Sequence, residues 1–340
     1  MDSIYGITRK KLEAYFESIN DKKYRATQVF EWLYRNKVKS FDEMTNLKKD
    51  LIEKLKEDYF FDDIKLVIKQ EDELTNKYLF ELNDNHRIEA VLMRHDYGNS
   101  ICISSQIGCN MGCAFCQSGR LKKIRNLTVS EMLLQVMKVE EDLGERISHV
   151  VIMGIGEPFD NYENVIDFVR IINDPYALAI GVRHITVSTC GLVPKIYALA
   201  DENLDINLAI SLHAPNNEIR SKIMRINNAY PVEEVIKAVK DYIDKTNRRV
   251  TFEYIMLDGV NDSAKCALEL CKLIKGLNAY VNLIPYNETS HFELKRSNDF
   301  KIKSFYDILK SYSVNVTIRK EMGGNLSAAC GQLRANVERL

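Results

Sequence analysis

The stretch Ser100-Ile-Cys-Ile-Ser-Ser-Gln-Ile-Gly-Cys-Asn-Met-Gly-Cys-Ala-Phe-Cys116 joins a short strand pattern to a run of three cysteines. Cys109, Cys113 and Cys116 follow the spacing C-x3-C-x2-C on one loop. Three thiolates can bind three irons of a cubane 4Fe–4S cluster, which usually takes four cysteines. The remaining iron is then open to a substrate or cosubstrate such as S-adenosylmethionine (SAM), whose sulfonium can accept an electron and release a carbon radical. A structural zinc site is the alternative, although zinc sites usually add a second C-x2-C arm or histidines, and no second arm appears nearby.

The composition is that of an ordinary globular protein of 340 residues with a formal net charge of -1. A chain of this length can bury a full core and fits one large domain with an appendage. No apolar stretch approaches the length of a membrane span, and Met1-Asp-Ser-Ile-Tyr5 lacks a signal-peptide pattern. The eight cysteines are unevenly scattered, which favours reduced thiols over a disulfide framework. We therefore expect a cytoplasmic protein without membrane contact, in which any nucleic-acid surface is local.

Residues 1–70 are predicted to form a small helical accessory domain. The segment from Ile7 to about Lys65 reads as helical, with apolar and aromatic residues at helical spacing around Trp32. Basic residues interleave with these aromatic residues in a way that suits RNA contact, namely Lys22, Lys23, Arg25, Arg35, Lys37 and Lys39. A helical core with a charged, solvated rim explains the same pattern equally well.

Residues 71–97 are predicted to form a β-hairpin extension, with Tyr78–Leu82 and Arg87–Met93 as strands and a turn at Asn83–His86. From residue 98 to 340, short apolar runs alternate with amphipathic helices, one of which begins at the capping box Thr128-Val-Ser-Glu131. The predicted strands are Ser100–Ser105, His149–Met153, His184–Ser188, Ile206–Ser211, Arg249–Met256, Tyr280–Ile284 and Asn315–Ile318. Such alternation indicates an α/β fold with a parallel sheet, either open or curled into a partial TIM-like barrel.

The chemically unusual residues follow the ends of these strands, where active sites of α/β proteins collect. In chain order they are the cysteine loop, Gly154-Ile-Gly-Glu-Pro158, Ser188-Thr-Cys-Gly191, Ser211-Leu-His-Ala-Pro215, Pro285-Tyr-Asn287 and a segment containing Cys330. Glycines allow a backbone to approach a ligand closely, and the carboxylate of Glu157 beside them suits an ammonium group such as that of SAM. His213 is expected to position ligand atoms or to support the rim rather than to bind metal.

Two further thiols have a possible chemical role. Cys102 lies in a strand just upstream of the cysteine loop, and Cys330 lies in the small-residue segment Ala328-Ala-Cys-Gly-Gln-Leu333. Brought onto one rim, they could act as a nucleophile and a resolving thiol. Packing alone also explains a free cysteine, and Cys190, Cys266 and Cys271 are most simply packing residues.

Together these motifs resemble the RlmN/Cfr family of radical SAM RNA methyltransferases, from Arg25-Ala-Thr-Gln-Val to Ala329-Cys-Gly-Gln-Leu333. Ser104-Ser-Gln106, Met153-Gly-Ile-Gly-Glu-Pro158 and Asn282-Leu-Ile-Pro-Tyr-Asn287 add to the resemblance. It implies a radical SAM partial barrel whose 4Fe–4S cluster is bound by Cys109, Cys113 and Cys116. It also implies a SAM site lined by Gly156, Glu157, Ser188, Ser211, Leu212, His213 and Asn287.

The resemblance is closer to the branch that methylates C2 of adenine, because Pro158 stands where the C8-methylating branch tends to have alanine. It implies that Cys330 carries a transient methyl group, that Cys102 resolves a protein–RNA adduct, and that Glu89 is the general base. Two SAM molecules would be used per turnover, one as methyl donor and one as radical source. The implied substrates are 23S rRNA before full ribosome assembly and certain tRNAs, and the target base must leave its stack.

The expected partner is a one-electron reductant such as flavodoxin or ferredoxin, and we expect a monomer. Three alternatives stay open from sequence. The first is C8 methylation within the same family, which confers resistance to ribosome-directed antibiotics. The second is a radical SAM enzyme with a non-RNA substrate, and the third is a zinc-stabilised RNA-binding protein.

Overall fold

The computed structural model describes residues 1–288 and 293–319. A helical unit comes first, with the elements β1 (Asp2–Ser3), α1 (Arg9–Ser18), α2 (Tyr24–Phe30), a π-helical turn (Glu31–Arg35), α3 (Lys49–Asp58) and β2 (Tyr59–Phe60). The Thr8 hydroxyl caps α1 by accepting the N–H of Lys11, and β1 pairs with β2 in parallel. Phe16, Phe30 and Tyr34 are buried, so the aromatic residues predicted from helical spacing form the core of this unit.

An antiparallel extension follows, made of β3 (Lys65–Glu71), β4 (Thr75–Glu81) and β5 (Arg87–His95), and it leads into β6 (Gly98–Cys102). The predicted hairpin is confirmed, since Glu81 lies opposite Arg87 and Thr75 opposite Met93. Strand β3 begins at Lys65, so residues 65–70 belong to the sheet and not to the helical unit, because Leu66 and Ile68 pair with β4. A short antiparallel pair, β7 (Gln106–Ile107) and β8 (Arg125–Asn126), then brackets the cysteine loop.

From β6 onward the strands of the main sheet run parallel. They are β9 (Ile147–Ile152), β10 (Ile185–Thr189), β11 (Asn207–Ser211), β12 (Val250–Met256), β13 (Ala279–Pro285) and β14 (Val316–Ile318). Within the described residues the sheet has ten strands in the order β14-β13-β12-β11-β10-β9-β6-β5-β4-β3. The helices that alternate with them are α4 (Val129–Leu143), α5 (Tyr162–Asn173), α6 (Val193–Leu199), α7 (Asn217–Ile223), α8 (Val232–Thr246), α9 (Ala264–Leu273) and α10 (Asp299–Ser311).

All predicted strands from residue 98 onward are present, and the predicted capping box at Thr128 opens α4. The clearest difference is the first strand, which ends at Cys102 and not at Ser105. Beyond Cys102 the chain bonds to the turn after β9 instead of continuing the strand, since the N–H of Gly154 donates to the carbonyl of Ile103 (3.0 Å).

The parallel strands give the sheet two chemically different faces, because side chains alternate and directly opposed residues share a face. One face is apolar and lies in the main core, with every residue at most 1% exposed: Val150, Ile152, Ile185, Val187, Leu208, Ile210, Val250, Phe252, Val281 and Leu283. The register puts mostly polar residues on the other face: Cys102, Thr186, Ser188, Ser211, Thr251, Glu253, Asn282 and Thr317. A polar inner face is the natural place for a site.

The helical unit docks on the outside of the sheet, against α4, α5 and the turn after α5. The contacts are Arg9–Asp174, Lys11–Asp167, Arg35 to the carbonyl of Pro175, Lys37–Glu140 and Lys39–Glu141. Three residues predicted for RNA contact, Arg35, Lys37 and Lys39, therefore also form contacts of this interface, while their side chains stay exposed. Lys22, Lys23 and Tyr24 remain exposed, with the Arg25 guanidinium 5.0 Å from the centre of the Tyr24 ring. No helix in the described part of the chain is long and apolar enough to span a membrane.

Candidate active site

The cysteine loop is fixed by backbone hydrogen bonds at its two ends. The N–H of Cys109 donates to the carbonyl of Leu121 (2.8 Å), and the N–H of Cys116 donates to the carbonyl of Cys113 (3.2 Å). Gly112 has a φ of 59°, a left-handed conformation that favours glycine and reverses the chain between the first two cysteines. The fold thus keeps the three thiols on one compact turn.

The three thiols lie close enough for their charges to influence one another. Burial, with a smaller contribution from the neighbouring Cys116, raises the pKa of the Cys109 thiol to about 12. Burial also raises the pKa of Cys113, with Cys116 and Cys109 adding to the effect. Among residues 1–288 and 293–319, no three Cys, His, Asp or Glu side chains converge as a group that could hold a metal ion. A cubane does not need such convergence, since each cysteine binds a different iron, so the three thiols fit that group.

The cysteine loop packs against the carboxyl ends of the parallel strands. The Phe115 ring meets the His213 ring edge-on, with centroids 4.8 Å apart. The N–H of Ala114 donates to the carbonyl of Ile223 at the end of α7 (2.9 Å). Met111, Cys113 and Phe115 contact a separate apolar cluster that contains Cys190, Ala214 and Tyr286. The cysteine loop and the motifs that contain Cys190, His213 and Tyr286 therefore meet at one rim, as predicted. The predicted contribution of the Cys330 segment lies outside the described residues.

Glu157 joins the loop after β9 to the loop after β10. Its side chain is buried, and its Oε1 accepts the N–H of Phe159 (3.0 Å) while its Oε2 accepts the N–H of Cys190 (2.8 Å). Burial raises the pKa of the carboxyl, and these hydrogen bonds oppose the rise. The Thr189 and Cys190 side chains also hydrogen-bond to this carboxylate, so a ligand ammonium would share its oxygens with them.

The glycines of this loop are required by the close approach of the chain that follows β6. A Cβ on Gly154 would lie 2.6 Å from the carbonyl oxygen of Ile103. A Cβ on Gly156, whose φ is 114°, would lie 2.6 Å from the Cβ of Gln106. The Gln106 side chain in turn accepts the N–H of Glu157 (2.9 Å), so this close packing orients the carboxylate.

His213 is a neutral structural residue of the rim. Its Nδ1 accepts the N–H of Ile255 (3.1 Å), and its carbonyl accepts an N–H of the Asn261 side chain (2.8 Å). Burial, and then the charge of Arg220, lower its pKa to about 3. The remaining predicted SAM contacts are Ser188 at the end of β10, Ser211 at the end of β11, the fully buried Leu212, and Asn287, which is exposed after β13.

Glu89 and Cys102 lie on adjacent strands, and a lysine that the sequence analysis missed lies beside them. The Nζ of Lys77 is 3.3 Å from the Oε2 of Glu89, and both side chains are 2% exposed. Val91 lies opposite Lys77 on one side and Cys102 on the other, so Lys77, Glu89 and Cys102 share a face. The sequence contains one indication of this ion pair. Lys77 lies inside the strand pattern Thr75-Asn-Lys-Tyr-Leu-Phe80, and a buried charge there requires a partner of opposite charge.

A second polar row crosses β11 to β14. Ser211, Glu253, Asn282 and Thr317 lie opposite one another in turn. The Asn282 side chain donates to the Oε2 of Glu253 (2.8 Å) and accepts from Thr317 (3.4 Å). Burial raises the pKa of the Glu253 carboxyl, and the positive charge of Arg319 opposes that rise.

Arg319 also interacts electrostatically with Cys102, and this interaction across the sheet indicates that the sheet is curved. Burial raises the pKa of the Cys102 thiol, and the charge of Arg319 is the largest opposing influence. Arg319 follows β14, which five strands separate from β6. In a flat sheet the two strands would be about 29 Å apart at the usual spacing. The polar face is therefore the inside of a partial barrel. Cys330 lies outside the described residues.

Two family models match the chain: the Radical SAM superfamily at residues 103–271 and the ribosomal RNA large subunit methyltransferase N-terminal domain at residues 3–60. A protein from Enterococcus faecalis and one from Spiroplasma citri, both named "Probable dual-specificity RNA methyltransferase RlmN", are 55% and 53% identical to it. These alignments cover 98% and 99% of this chain and 96% and 99% of the relatives.

A crystal structure of a radical SAM methyltransferase from Sphaerobacter thermophilus matches with a TM-score of 0.89 and 39% identity, covering 98% of this chain and 99% of that one. These matches confirm the resemblance and the radical SAM α/β fold inferred from sequence. They also exclude the reading as a zinc-stabilised protein without catalysis. The chain belongs to the RlmN family of radical SAM RNA methyltransferases, which use a 4Fe–4S cluster and SAM.

Proposed function

We propose that this enzyme methylates C2 of an adenine in 23S rRNA, before full ribosome assembly, and in certain tRNAs. The observation that carries the proposal is the position of Glu89 and Cys102 on the inner face of the barrel. A carboxylate and a thiol lie there side by side, on strands that lead directly into the cysteine loop. A base and a thiol are the two groups that a methyl transfer through a cysteine adduct requires.

The target carbon explains why such groups are needed. C2 of adenine lies between two ring nitrogens and is electron-poor, so it cannot displace a methyl group from SAM as a nucleophile. When bound at Cys109, Cys113 and Cys116, the cluster and one SAM would supply a carbon radical that activates a methyl group already on the protein. The chain must therefore hold that methyl group, the base and the SAM in one dry cavity.

The SAM contacts proposed from the resemblance suit this task. Glu157 is buried, and its backbone N–H donates to the Gln106 side chain, so its carboxylate is held at the rim where it would bind the SAM ammonium. Ser188 and Ser211 lie on the inner face at the ends of neighbouring strands, and His213 fixes the rim beside the cysteine loop. Gly156, Leu212 and Asn287 complete the proposed lining.

Three side chains would carry out the transfer. Cys330 would accept a methyl group from a first SAM by displacement and, after activation of that group by a second SAM, would link it to C2. Glu89 would remove the C2 proton, and the adduct would give up one electron, equal to the one consumed in SAM cleavage. Cys102 would then attack the Cys330 sulfur, releasing the methylated adenine and leaving a disulfide that an external reductant returns to two thiols. Burial raises the pKa of the Cys102 thiol, and the positive charges of Arg319 and Lys77 oppose that rise, which favours the thiolate over that of an uncompensated buried thiol.

We further propose that the accessory domain, predicted at residues 1–70 but with residues 65–70 in the sheet, contacts RNA. The contact would be made by the exposed residues Lys22, Lys23 and Tyr24, because the charges of Lys37 and Lys39 are already paired with carboxylates of α4. Residues 71–97 would extend the barrel wall, and residues 98–340 would form the core with the catalytic-cysteine segment. The target base would have to leave its stack to reach the cavity. A monomer that receives electrons from flavodoxin or ferredoxin would suffice.

The decisive experiment replaces Cys102 with alanine in the holoenzyme. Incubation of Cys102→Ala with SAM, reductant and a 23S rRNA fragment should accumulate a covalent protein–RNA species, seen as an RNase-sensitive mass increase. The matched control is Cys271→Ala, which removes a buried thiol on the distant helix α9. Free product formed by Cys102→Ala at the wild-type rate would contradict the resolving role. Mass spectrometry of the digested RNA would show 2-methyladenosine, whereas 8-methyladenosine would assign the protein to the C8 branch.

A further inference from the structure

Arg220 is a completely buried cation behind the rim where SAM is proposed to bind. It belongs to the short helix α7, and its side chain is 0% exposed. Its guanidinium donates to the carbonyls of Cys190 (2.6 Å), Leu212 (3.1 Å), Tyr230 (3.2 Å) and Ser211 (3.4 Å), and to the side-chain oxygen of Asn227 (3.1 Å). The side chain therefore ties the ends of β10 and β11 to helix α7.

All five of these acceptors are electrically neutral. Buried charges are usually paired with an opposite charge, because the loss of hydration costs several kcal/mol per ion. Across residues 1–288 and 293–319, no carboxylate forms an ion pair with Arg220. Hydrogen bonds to carbonyls satisfy its donors but do not cancel its charge. The fold therefore holds a positive charge here that something else must balance.

The cysteine loop is the adjacent element. Helix α7 bonds to that loop through Ile223 and Ala114, and Cys113 packs on the apolar cluster that includes Ile223 and Cys190. The charge of Arg220 opposes the rise that burial causes in the pKa of the Cys113 thiol, so the two groups interact electrostatically. A negative group bound by the three cysteines would thus face a buried guanidinium.

Cys190 connects the same charge to Glu157. Its carbonyl accepts from Arg220 (2.6 Å), and its N–H donates to the Oε2 of Glu157 (2.8 Å). One residue of backbone therefore lies between a buried cation and a buried carboxylate. A change at position 220 should alter where Glu157 points.

We propose that Arg220 is a positioning residue with two separable effects: its charge stabilises the reduced form of the cluster, and its hydrogen bonds hold the SAM-binding rim. Three thiolates make the bound cluster anionic, and reduction adds one further negative charge. A buried cation that water screens poorly favours the more negative state. This inference rests on the cluster ligation by Cys109, Cys113 and Cys116 proposed above.

The test compares three variants of the reconstituted holoenzyme in the absence of RNA. Arg220→Gln removes the charge, Arg220→Lys keeps the charge but cannot reach all the carbonyls, and Asn227→Ala loosens the same segment without touching the charge. The midpoint potential of the cluster is measured by redox titration with paramagnetic resonance, and SAM affinity is measured by equilibrium binding. Iron content verifies cluster loading in each variant.

We expect Arg220→Gln to lower the reduced-to-oxidised ratio at a fixed potential by about tenfold, equivalent to about 59 mV for a one-electron couple. Arg220→Lys and Asn227→Ala should keep the wild-type potential, while Arg220→Lys should bind SAM more weakly. An unchanged potential in Arg220→Gln, or an equal fall in Asn227→Ala, would overturn the electrostatic effect. Wild-type SAM affinity in Arg220→Lys would overturn the positioning effect.

If Arg220→Gln does not fold, the lysine variant alone decides the electrostatic effect. A buried lysine loses its proton at a lower pH than arginine does. The potential of Arg220→Lys should therefore fall at alkaline pH relative to the wild type, and a parallel pH profile would refute the electrostatic effect. A protein that never binds iron would instead refute the proposed ligation by the three cysteines. A protein that binds iron but shows no effect of Arg220 on the potential would refute only the present inference.

Discussion

Replacing Lys77 with methionine should destabilise the protein far more than replacing an exposed lysine does. Lys77 and Glu89 form an ion pair with Nζ and Oε2 3.3 Å apart, and each side chain is 2% exposed. Methionine is apolar and similar in length, so the substitution leaves little empty volume but removes a positive partner of the buried Glu89 carboxylate. Breaking a buried pair in this way typically lowers the free energy of unfolding by about 3–5 kcal/mol.

The same two strands contain a matched control. Arg87 and Glu81 also lie opposite each other on β5 and β4, with Nη2 and Oε2 3.1 Å apart, but their side chains are 30% and 24% exposed. Solvent screens this pair, so Arg87→Met should lower the free energy of unfolding by less than about 1 kcal/mol. The two substitutions thus differ in burial but hardly in position or chemistry.

Urea unfolding of the cluster-free protein, followed by circular dichroism, measures both effects. The double variant Lys77→Met/Glu89→Gln should be more stable than Lys77→Met alone, because it also removes the buried negative charge of Glu89. Equal losses in Lys77→Met and Arg87→Met would refute the reasoning, as would a double variant whose losses are simply additive.

Three further outcomes are expected. Because folded His213 has a pKa of about 3 against an ordinary 6.5, the unfolded chain takes up a proton below pH 6.5 that the folded chain does not. The free energy of unfolding should then fall by about 1.4 kcal/mol per pH unit in that window, and His213→Asn should flatten this dependence in pH-resolved urea titrations. Gly154→Ala should abolish SAM binding in calorimetry because its Cβ would meet backbone 2.6 Å away, whereas Gly181→Ala, with nothing within 4 Å, should bind normally. Lys22→Ala should weaken RNA binding and reduce the salt slope by about 0.7–0.9, whereas an unchanged slope in Lys22→Ala or an equal reduction in Lys37→Ala would contradict the proposed RNA surface.

Local patterns were sufficient to predict the order of strands and helices. Alternating apolar runs mark each parallel strand, and the capping box at Thr128 marks the start of α4. The convergence of motifs on one rim also followed from sequence, since carboxyl ends of parallel strands meet at one edge. Chain position alone could not show that Lys37 and Lys39 face α4, because docking depends on acidic partners about a hundred residues away.

The reasons for particular residues were harder to predict. Gly154 and Gly156 read as ligand-approach glycines, yet their neighbours are the chain after β6, a contact that no local pattern encodes. The position of Lys77 inside a strand predicts that its charge is paired, but its partner Glu89 depends on the register of β4 and β5, which the sequence does not show. Arg220 gives no signal in the sequence, because its burial beneath two loops depends on the fold.

The superfamily match covers residues 103–271 and so contains the three cysteines and Glu157 but neither Glu89 nor Cys102. Those two residues come from strands added just before that segment, in the register that also brings in Lys77. With the roles proposed for these residues, radical formation and radical use are encoded in different stretches of the gene. Exchanging the upstream strands between relatives would then alter the methylation step and leave radical formation intact.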